Sequence, residues 1–272
     1  MAGGAVDYGA EVILLAGAGR AILLQLANPS VGRGVAENST FAQRPLDRLN
    51  STLTYVYGTV YGNEEQANEV RRRVNRAHAP VRRAGDGSSA GYSAFDPKLQ
   101  LWVAATLYDT ARTVIEKIYG PLDGDTADAV YQHYARLGTA LQLPPDMWPK
   151  DRAAFARYWQ EQLACLSAGD GALSVAKDLL HPANVPWWYH AIMPTARFLT
   201  AGFLPAPLRQ DFGLQWSGRH ERRFHRTMRV LAFAYPKLPA RLRHSYRDYC
   251  LNKLDRDLRG NRPASQRQGI SA

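Results

Sequence analysis

Apolar residues recur at intervals of three and four positions along most of this 272-residue chain. Because that spacing places them on one face of an α-helix, most of the chain is predicted to be helical. Stretches that contain glycine, serine and proline, over 30–45 and 84–93, predict loops. No stretch predicts a convincing sheet, so the fold class is predicted to be all-α. The predicted helices cover residues 11–27, 63–83, 97–119, 125–141, 151–167, 171–180, 185–203, 207–212, 217–234 and 239–258.

Capping residues mark several of these boundaries. Asn28-Pro29 ends the first helix, and Asn63 followed by two glutamates begins another, since the helix dipole favours acids in the first turn. Asp96-Pro97 begins the next helix, with proline at the first position. The capping pattern therefore supports the helical interpretation independently of the apolar spacing.

The segment 48–61 is ambiguous. Asp47 is suited to cap a helix that begins at Arg48. The segment is also rich in β-branched and aromatic residues, which favour strands. Helix and strand are both open for this segment.

Chain length and composition predict one domain over 1–258 and a disordered basic tail over 259–272. Cys165 and Cys250 have no spacing that suggests a disulfide framework or a metal site. Near the N-terminus, Glu11 precedes the apolar run and Arg20 interrupts it, and no basic region precedes them, so we expect a core helix rather than a signal segment. A cytoplasmic protein is predicted.

The chain carries 34 Lys and Arg against 24 Asp and Glu, a formal charge of +10. The basic residues cluster over 71–83, 219–229 and 241–262, but no zinc-finger, RNP or basic-zipper pattern accompanies them. Solvated helix faces are the favoured interpretation, and no nucleic-acid partner is expected. Contact with an anionic membrane surface stays open, and the apolar, aromatic stretch 185–207 is compatible with it, although a core helix is the simpler interpretation.

His78 is the first candidate site residue. On a helical wheel, Val70, Val74 and Val81 lie to one side of His78, and Arg71 and Arg82 lie to the other. A haem has the same division, with an apolar macrocycle and two propionates that arginine pairs with. On the wheel alone, a structural histidine at a helix boundary is the favoured alternative.

Arg48 and Thr52 are the second candidate pair. Spaced i, i+4, they share a helix face with Tyr55 and Thr59, beside an apolar face. An arginine and a hydroxyl at the edge of a pocket can steady bound dioxygen or a propionate. A surface arginine and a threonine bonded to its own backbone is an equally good interpretation.

Four stretches together carry a resemblance to a known family. The chain resembles the bacterial and fungal DUF2236 family, which contains the oxygenase MpaB and the latex clearing protein, a rubber oxygenase. The likeness covers roughly residues 10–215, and its order and spacing are more specific than any single piece. The four stretches are GRAILLQLANPSVGRGVAENSTF, RLNSTLTYVYGTVYG, VRRRVNRAHAPVRR and YSAFDPKLQLWVAATLYDT.

The resemblance implies an all-helical, globin-reminiscent domain around a b-type haem, with dioxygen or peroxide as co-substrate. It implies that His78 is the proximal iron ligand and that Arg48 and Thr52 lie close to the haem, where they serve catalysis or haem retention. Glu37 is the candidate, by position, for a carboxylate that acts as a base in some members. Arg71 and Arg82 are the expected propionate partners.

The chain departs from the family at four positions. Asn28, Asn38 and Ala104 stand where many members have histidine, and Ser51 stands where rubber oxygenases have lysine. We therefore expect a haem-dependent oxygenase or oxidase for a small hydrophobic or natural-product substrate rather than polyisoprene. The alternatives are a non-catalytic haem-binding protein, such as a sensor or carrier, and a basic helical protein that binds nucleic acid or membrane.

Overall fold

The computed structural model describes residues 8–38, 45–85, 91–182 and 185–261, and in this part of the chain the all-α prediction is confirmed. Short 3₁₀ turns at Val12–Gly17, Pro145–Met147 and Tyr235–Lys237 accompany the helices. The helices are α1 (Ala18–Ala27), α2 (Pro29–Glu37), α3 (Pro45–Tyr61), α4 (Glu64–His78), α5 (Pro97–Tyr119), α6 (Gly124–Thr139), α7 (Arg152–Ala164), α8 (Asp170–Leu180), α9 (Trp187–Phe203), α10 (Ala206–Asp211), α11 (Gly218–Ala234), α12 (Ala240–Arg243) and α13 (Ser245–Asn261).

Helix α5 is the centre of the fold. The Asp96 side chain accepts a hydrogen bond from the Lys98 amide at its start, Pro97 takes the first position, and Gly120, with φ +85°, ends it. Helices α1, α6 and α11 and the first 3₁₀ turn pack around α5. Most of α5 is buried, including Trp102, whose ring stacks on that of Trp159. The core is therefore organised around one long helix that apolar periodicity alone predicted.

A buried charge fixes α1 against α5 and α9. Arg20 is 4% exposed, and its guanidinium donates to the Asp109 carboxylate, the Thr110 hydroxyl and the Phe203 carbonyl. A buried charge is tolerated only when it is paired and its hydrogen bonds are satisfied. Asp109 and Thr110 belong to α5 and Phe203 ends α9, so Arg20 sets the position of α1 against both helices.

The predicted loop over 30–45 is wrong in its first part, which forms helix α2. Asn28 does end α1, but its side chain then accepts from the amides of Ser30 and Val31 and so caps a second helix, with Pro29 at its first position. Gly32 serves close packing rather than a turn, because an added Cβ would lie 2.4 Å from the Leu26 carbonyl oxygen. Residues 39–44 lie outside the described part of the chain.

The helix–strand ambiguity of 48–61 resolves to helix α3, and Asp47 lies in its first turn rather than at its cap.

Helix α4 has the predicted start, where the side chains of Asn63 and Gln66 each bond the other's backbone amide. It ends at His78, five residues earlier than predicted, because Pro80 has no backbone N–H to continue the helix. Arg82–Arg83 then pairs with Tyr92–Ser93 in an antiparallel two-stranded sheet, β1–β2. This small sheet was not predicted, and residues 86–90 between its strands lie outside the described part.

The predicted C-terminal helix over 239–258 is two helices, α12 and α13, which meet at His244. His244 is buried at 8% exposure, although arginines flank it in the sequence, and its Nε2 lies 3.4 Å from the Glu11 carboxylate. The Tyr235 hydroxyl and the Arg243 guanidinium also donate to Glu11, which is 1% exposed. Helix α13 continues past the predicted start of the tail to Asn261, and 262–272 lie outside the described residues.

Among the described residues, no single helix has both the length and the apolar character needed to cross a membrane. Val12–Ala27 and Pro29–Glu37 reach that length and composition only as a pair, and the chain bends by 100° between them.

Candidate functional site

A cavity of about 490 Å³ lies between α2, α3, α4, α5, α6 and α13. Its size falls within the range of small-molecule and cofactor sites. Much of its wall is aliphatic, and the sequence stretches that supply these side chains are far apart in the chain. The aliphatic lining consists of Val31, Val35, Val70, Val74, Val81, Leu99, Val103, Leu107, Leu137, Leu141 and Leu254.

His78 lines this cavity at the C-terminal end of α4, together with Val70, Val74 and Val81. The apolar side of the predicted helical wheel therefore faces the cavity. Burial lowers the pKa of His78, and the positive charge of Arg48 lowers it further. The imidazole is accordingly neutral at pH 7, which is the form that ligates metals.

The Nδ1 atom of His78 is buried and makes no hydrogen bond with the described part of the chain. A buried polar nitrogen without a partner is uncommon and costs free energy. The imidazole edge packs near the Phe95 ring, with ring centroids 6.3 Å apart. His78 thus combines a neutral ring, a cavity position and an unsatisfied nitrogen.

Arg48 and Thr52 line the same cavity from α3. Arg48 is half-buried, and this burial lowers its pKa. Thr52 and its neighbour Ser51 are exposed, so this part of the lining faces solvent. The structure therefore brings His78, Arg48 and Thr52 together around one space.

Arg71, Arg82 and Glu37 do not line the cavity. Arg71 is exposed and donates to the Asn68 side chain, and Arg82 is exposed on β1. Glu37 accepts from the Tyr92 hydroxyl at 2.8 Å and from the Arg83 guanidinium at 2.8 Å. Glu37 therefore connects the end of α2 to the two-stranded sheet that follows His78.

The cationic side chains in the lining other than Arg48 are Arg73 and Lys253. Arg73 donates to Glu69 at 2.8 Å and to Asp257 of α13 at 2.9 Å. The helical wheel did not identify Arg73, because the side of α4 that faces the cavity depends on where α13 packs, and α13 is distant in sequence. Arg73 is one of several arginines on α4, and nothing in the sequence distinguishes it from the others as a lining residue.

A chain of side-chain amides connects the cavity residue Gln100 to Asn75, which lies one turn before His78. Gln142 Nε2 donates to Asn75 Oδ1 at 2.8 Å, and Gln100 Nε2 donates to Gln142 Oε1 at 2.6 Å. The Gln142 backbone amide donates to Gln100 Oε1 at 3.0 Å. These bonds connect α4 to the start of α5 and to the end of α6, and sequence analysis had not identified any of the three residues.

The positions where the family has histidine fall into two groups. Asn38 and Ala104 line the cavity, where Asn38 Nδ2 donates to the Gly34 carbonyl at 2.9 Å and to the Tyr92 hydroxyl at 3.1 Å. Asn28 instead caps α2. His78 is the one imidazole among the described lining residues, and no group of three or more His, Cys, Asp or Glu able to hold a metal ion occurs in the described ranges.

Over residues 7–233 the chain matches the family described as ER-bound oxygenase mpaB/B′ and rubber oxygenase, catalytic domain. It is also similar to uncharacterised proteins of Mycobacterium bovis and of Mycobacterium tuberculosis, each 40% identical over 225 residues that cover 81% of this chain and 88% of the relative. No solved structure matches the chain. The chain belongs to the mpaB and rubber oxygenase catalytic-domain family, and this membership supports an oxygenase-type enzyme that uses dioxygen on a small-molecule substrate.

Proposed function

We propose that this protein is a b-type haem-dependent oxygenase or oxidase that acts on a small hydrophobic or natural-product substrate, with His78 as the protein's iron ligand. The observation that carries the proposal is His78 itself. Its neutral imidazole lines a largely aliphatic cavity and has a buried nitrogen that makes no hydrogen bond with the described residues. A porphyrin iron needs only one side chain from the protein, so a single histidine is a sufficient donor set.

The rest of the lining fits the two halves of a haem. The aliphatic side chains of α2, α4, α5 and α6 offer a surface for the macrocycle. Arg48, Arg73 and Lys253 offer positive charge for the propionates, although Arg73 also pairs with Glu69 and Asp257. Bound haem would supply the oxygen chemistry, and the protein would supply orientation and polarity.

The remaining site residues have separate proposed roles. Arg48 and Thr52 act at the cavity, where the guanidinium pairs with an anionic group and the hydroxyl donates a hydrogen bond. The roles proposed for Arg71, Arg82 and Glu37 draw no support from the lining, since all three lie outside it. For Glu37, holding the sheet that follows His78 is the role that its contacts favour.

The proposal is tested by titrating the purified apoprotein with hemin and recording the Soret band. We expect saturable binding of one hemin per chain, and His78→Ala should lower the affinity at least tenfold and change the ligand-field bands. Adding imidazole to His78→Ala should restore the wild-type spectrum, because the free base takes the place of the lost side chain.

His190→Ala is the matched control, because His190 is exposed on α9 and does not line the cavity. Its hemin titration should be that of the wild type. A wild-type protein that shows no Soret band with hemin would overturn haem dependence. Unchanged spectra in His78→Ala would overturn the ligand assignment alone.

A haem-binding protein without turnover is the second candidate, and Asn38 and Ala104 favour it. Both line the cavity at positions where the family has histidine, so the cavity has one imidazole where family members have several. Oxygen uptake by the hemin-loaded protein with a panel of small apolar alkenes and phenols separates the two functions. Incorporation of ¹⁸O from labelled dioxygen into a product supports the oxygenase, whereas binding of hemin without uptake supports the carrier.

A further inference from the structure

Helix α11 and the turn that follows it expose a face that is both basic and apolar, which we name the α11–α12 face. Its basic members are Arg222, Arg226, Arg229, Lys237 and Arg241, and its apolar members are Val230, Phe233, Leu238 and Leu242. On α11 the members recur at intervals of three and four, so they share one side of the helix. Phe233 is 72% exposed and Leu242 is 58% exposed, which is unusual for side chains of this size.

The two halves of this face are contiguous. Lys237 Nζ lies 3.2 Å from the centroid of the Phe233 ring, which places the 3₁₀ turn against the end of α11. Beyond the turn, Arg243 Nε donates to the Leu238 carbonyl at 3.1 Å and the Leu242 amide donates to the Pro239 carbonyl. The exposed side chains therefore project from a backbone that local hydrogen bonds hold in place.

The charge of this region is strongly one-sided. Between residues 213 and 247 the chain has nine Lys and Arg and a single acidic residue, Glu221. Glu221 is already engaged, because it accepts from Trp216 Nε1 and lies 2.9 Å from His225 Nε2. Arg222, Arg226 and Arg229 form no ion pair with the described carboxylates, so their charge is available to a partner.

We propose that the α11–α12 face docks the protein on an anionic lipid bilayer. Basic side chains are attracted to the negative headgroups, and aromatic and aliphatic side chains among them enter the boundary between headgroups and acyl chains. A nucleic acid would use the arginines but would leave Phe233, Leu238 and Leu242 in water. The combination of charges and exposed apolar side chains is therefore what selects a bilayer.

This docking surface is separate from the cavity. None of its residues lines the cavity, and α11 packs through Phe224 and Met228 on a separate hydrophobic cluster that contributes nothing to the lining. Membrane docking is therefore measurable on the full-length apoprotein, and its outcome does not depend on haem.

The test is sedimentation of the full-length protein with vesicles of phosphatidylcholine alone and with vesicles of equal parts phosphatidylcholine and phosphatidylglycerol. We expect binding to the anionic vesicles only, and weaker binding at about 1 M salt, where charges are screened within about 3 Å. Arg222→Gln, Arg226→Gln and Arg229→Gln combined should lower the partition coefficient roughly 100-fold, because each basic residue at an anionic surface contributes several-fold. Phe233→Ser with Leu242→Ser should lower it at least tenfold while every charge is retained.

The matched control removes three exposed charges elsewhere, through Arg76→Gln, Lys150→Gln and Arg157→Gln, and should bind as the wild type does. Equal loss in this control would show that net charge alone drives binding and would overturn the proposal. Failure to bind anionic vesicles would overturn it too. Two further results would overturn the proposal. One is RNA binding that is unchanged by Phe233→Ser and Leu242→Ser, and the other is a dimer in solution that these two substitutions dissociate.

Discussion

At the scale of single residues, the cavity keeps an imidazole neutral. Two causes act in the same direction on His78: burial disfavours the charged ring, and the nearby Arg48 guanidinium repels it. Its position at the C-terminal end of α4 would by itself favour the charged ring, so desolvation is the larger effect. The pKa of His133 on α6 is lowered in the same way, by burial and by the positive charge of Arg136.

The first prediction concerns the pH dependence of stability. A lowered pKa means that the unfolded chain binds a proton that folded His78 does not, so the free energy of unfolding falls as pH drops below about 6.5. One such group contributes at most about 1.4 kcal/mol per pH unit. Urea unfolding of the apoprotein at pH 7.5 and pH 5.5 should therefore show a smaller decrease for His78→Gln than for the wild type.

Other groups, such as His133, also contribute to this decrease, but they do so equally in both proteins, which makes the difference between the two decreases the informative quantity. His190→Gln is the control, since His190 is exposed on α9, and its decrease should equal that of the wild type. An identical decrease in His78→Gln and wild type would refute the claim that the cavity disfavours the charged ring.

At the scale of elements, helix existence was predictable and helix boundaries were not. Periodicity and caps predicted α5, α6 and the start of α4 nearly as they are, since these features are local. Helix α2 was missed because its glycines read as a loop signal, whereas Gly32 is needed for the close approach of α2 to the Leu26 carbonyl. The early end of α4 follows from Pro80, a local stop signal that the prediction overran. The pairing of Arg82–Arg83 with Tyr92–Ser93 is instead a contact that neither segment signals alone.

The same distinction holds for the candidate site. His78, Arg48 and Thr52 were identified from helical faces and from the resemblance, and all three line the cavity. Arg71 and Arg82 were chosen for their angle on a single helix. Arg71 lies outside the lining, and α13 instead contacts the side of α4 that carries Arg73. Arg82 lies outside it because α4 ends at His78 and Arg82 belongs to β1. Lining residues whose position is set by contact with a helix distant in sequence cannot be identified from their own helix alone.

The second prediction concerns the junction of α1, α5 and α9. Asp109→Ala leaves the Arg20 guanidinium buried without its carboxylate, and removing one partner of a buried ion pair costs about 3–5 kcal/mol. The urea midpoint should fall accordingly. Asp128→Ala is the matched control, because the Asp128–Arg152 pair is exposed and should contribute less than about 1 kcal/mol.

The double substitution Arg20→Met with Asp109→Leu distinguishes the contribution of the ion pair from that of the other hydrogen bonds of Arg20. Replacing both partners removes the uncompensated charge, so this variant should be more stable than Asp109→Ala alone. If it is instead less stable than Asp109→Ala, the contribution of Arg20 comes from its bonds to Thr110 and Phe203 rather than from the ion pair.

At the scale of the whole molecule, the C-terminal helix packs against the part of the chain that matches the family. The family match ends at residue 233, yet α13 supplies Lys253, Leu254 and Asp257 to the cavity. Helix α13 also packs along α3, and Gln66 Nε2 donates to Asp255 at 2.8 Å. A cavity whose wall includes α13 is complete only when that helix is docked.

The last prediction follows from the buried Glu11, which holds Tyr235, Arg243 and His244 and so joins the first turn of the fold to the start of α13. Glu11→Ala should lower the free energy of unfolding by about 3 kcal/mol, because it leaves Arg243 without its buried carboxylate. Glu161→Ala replaces an exposed glutamate on α7 and should change the free energy of unfolding by less than about 0.5 kcal/mol.

Hydrogen exchange followed by mass spectrometry then tests how the loss of stability in Glu11→Ala is distributed over the fold. If the fold is one cooperative unit, peptides from 245–261 and from 97–119 lose protection together in Glu11→Ala. Loss of protection in 245–261 alone would instead mean that α13 is an independently docked helix and that the cavity opens without unfolding of the core.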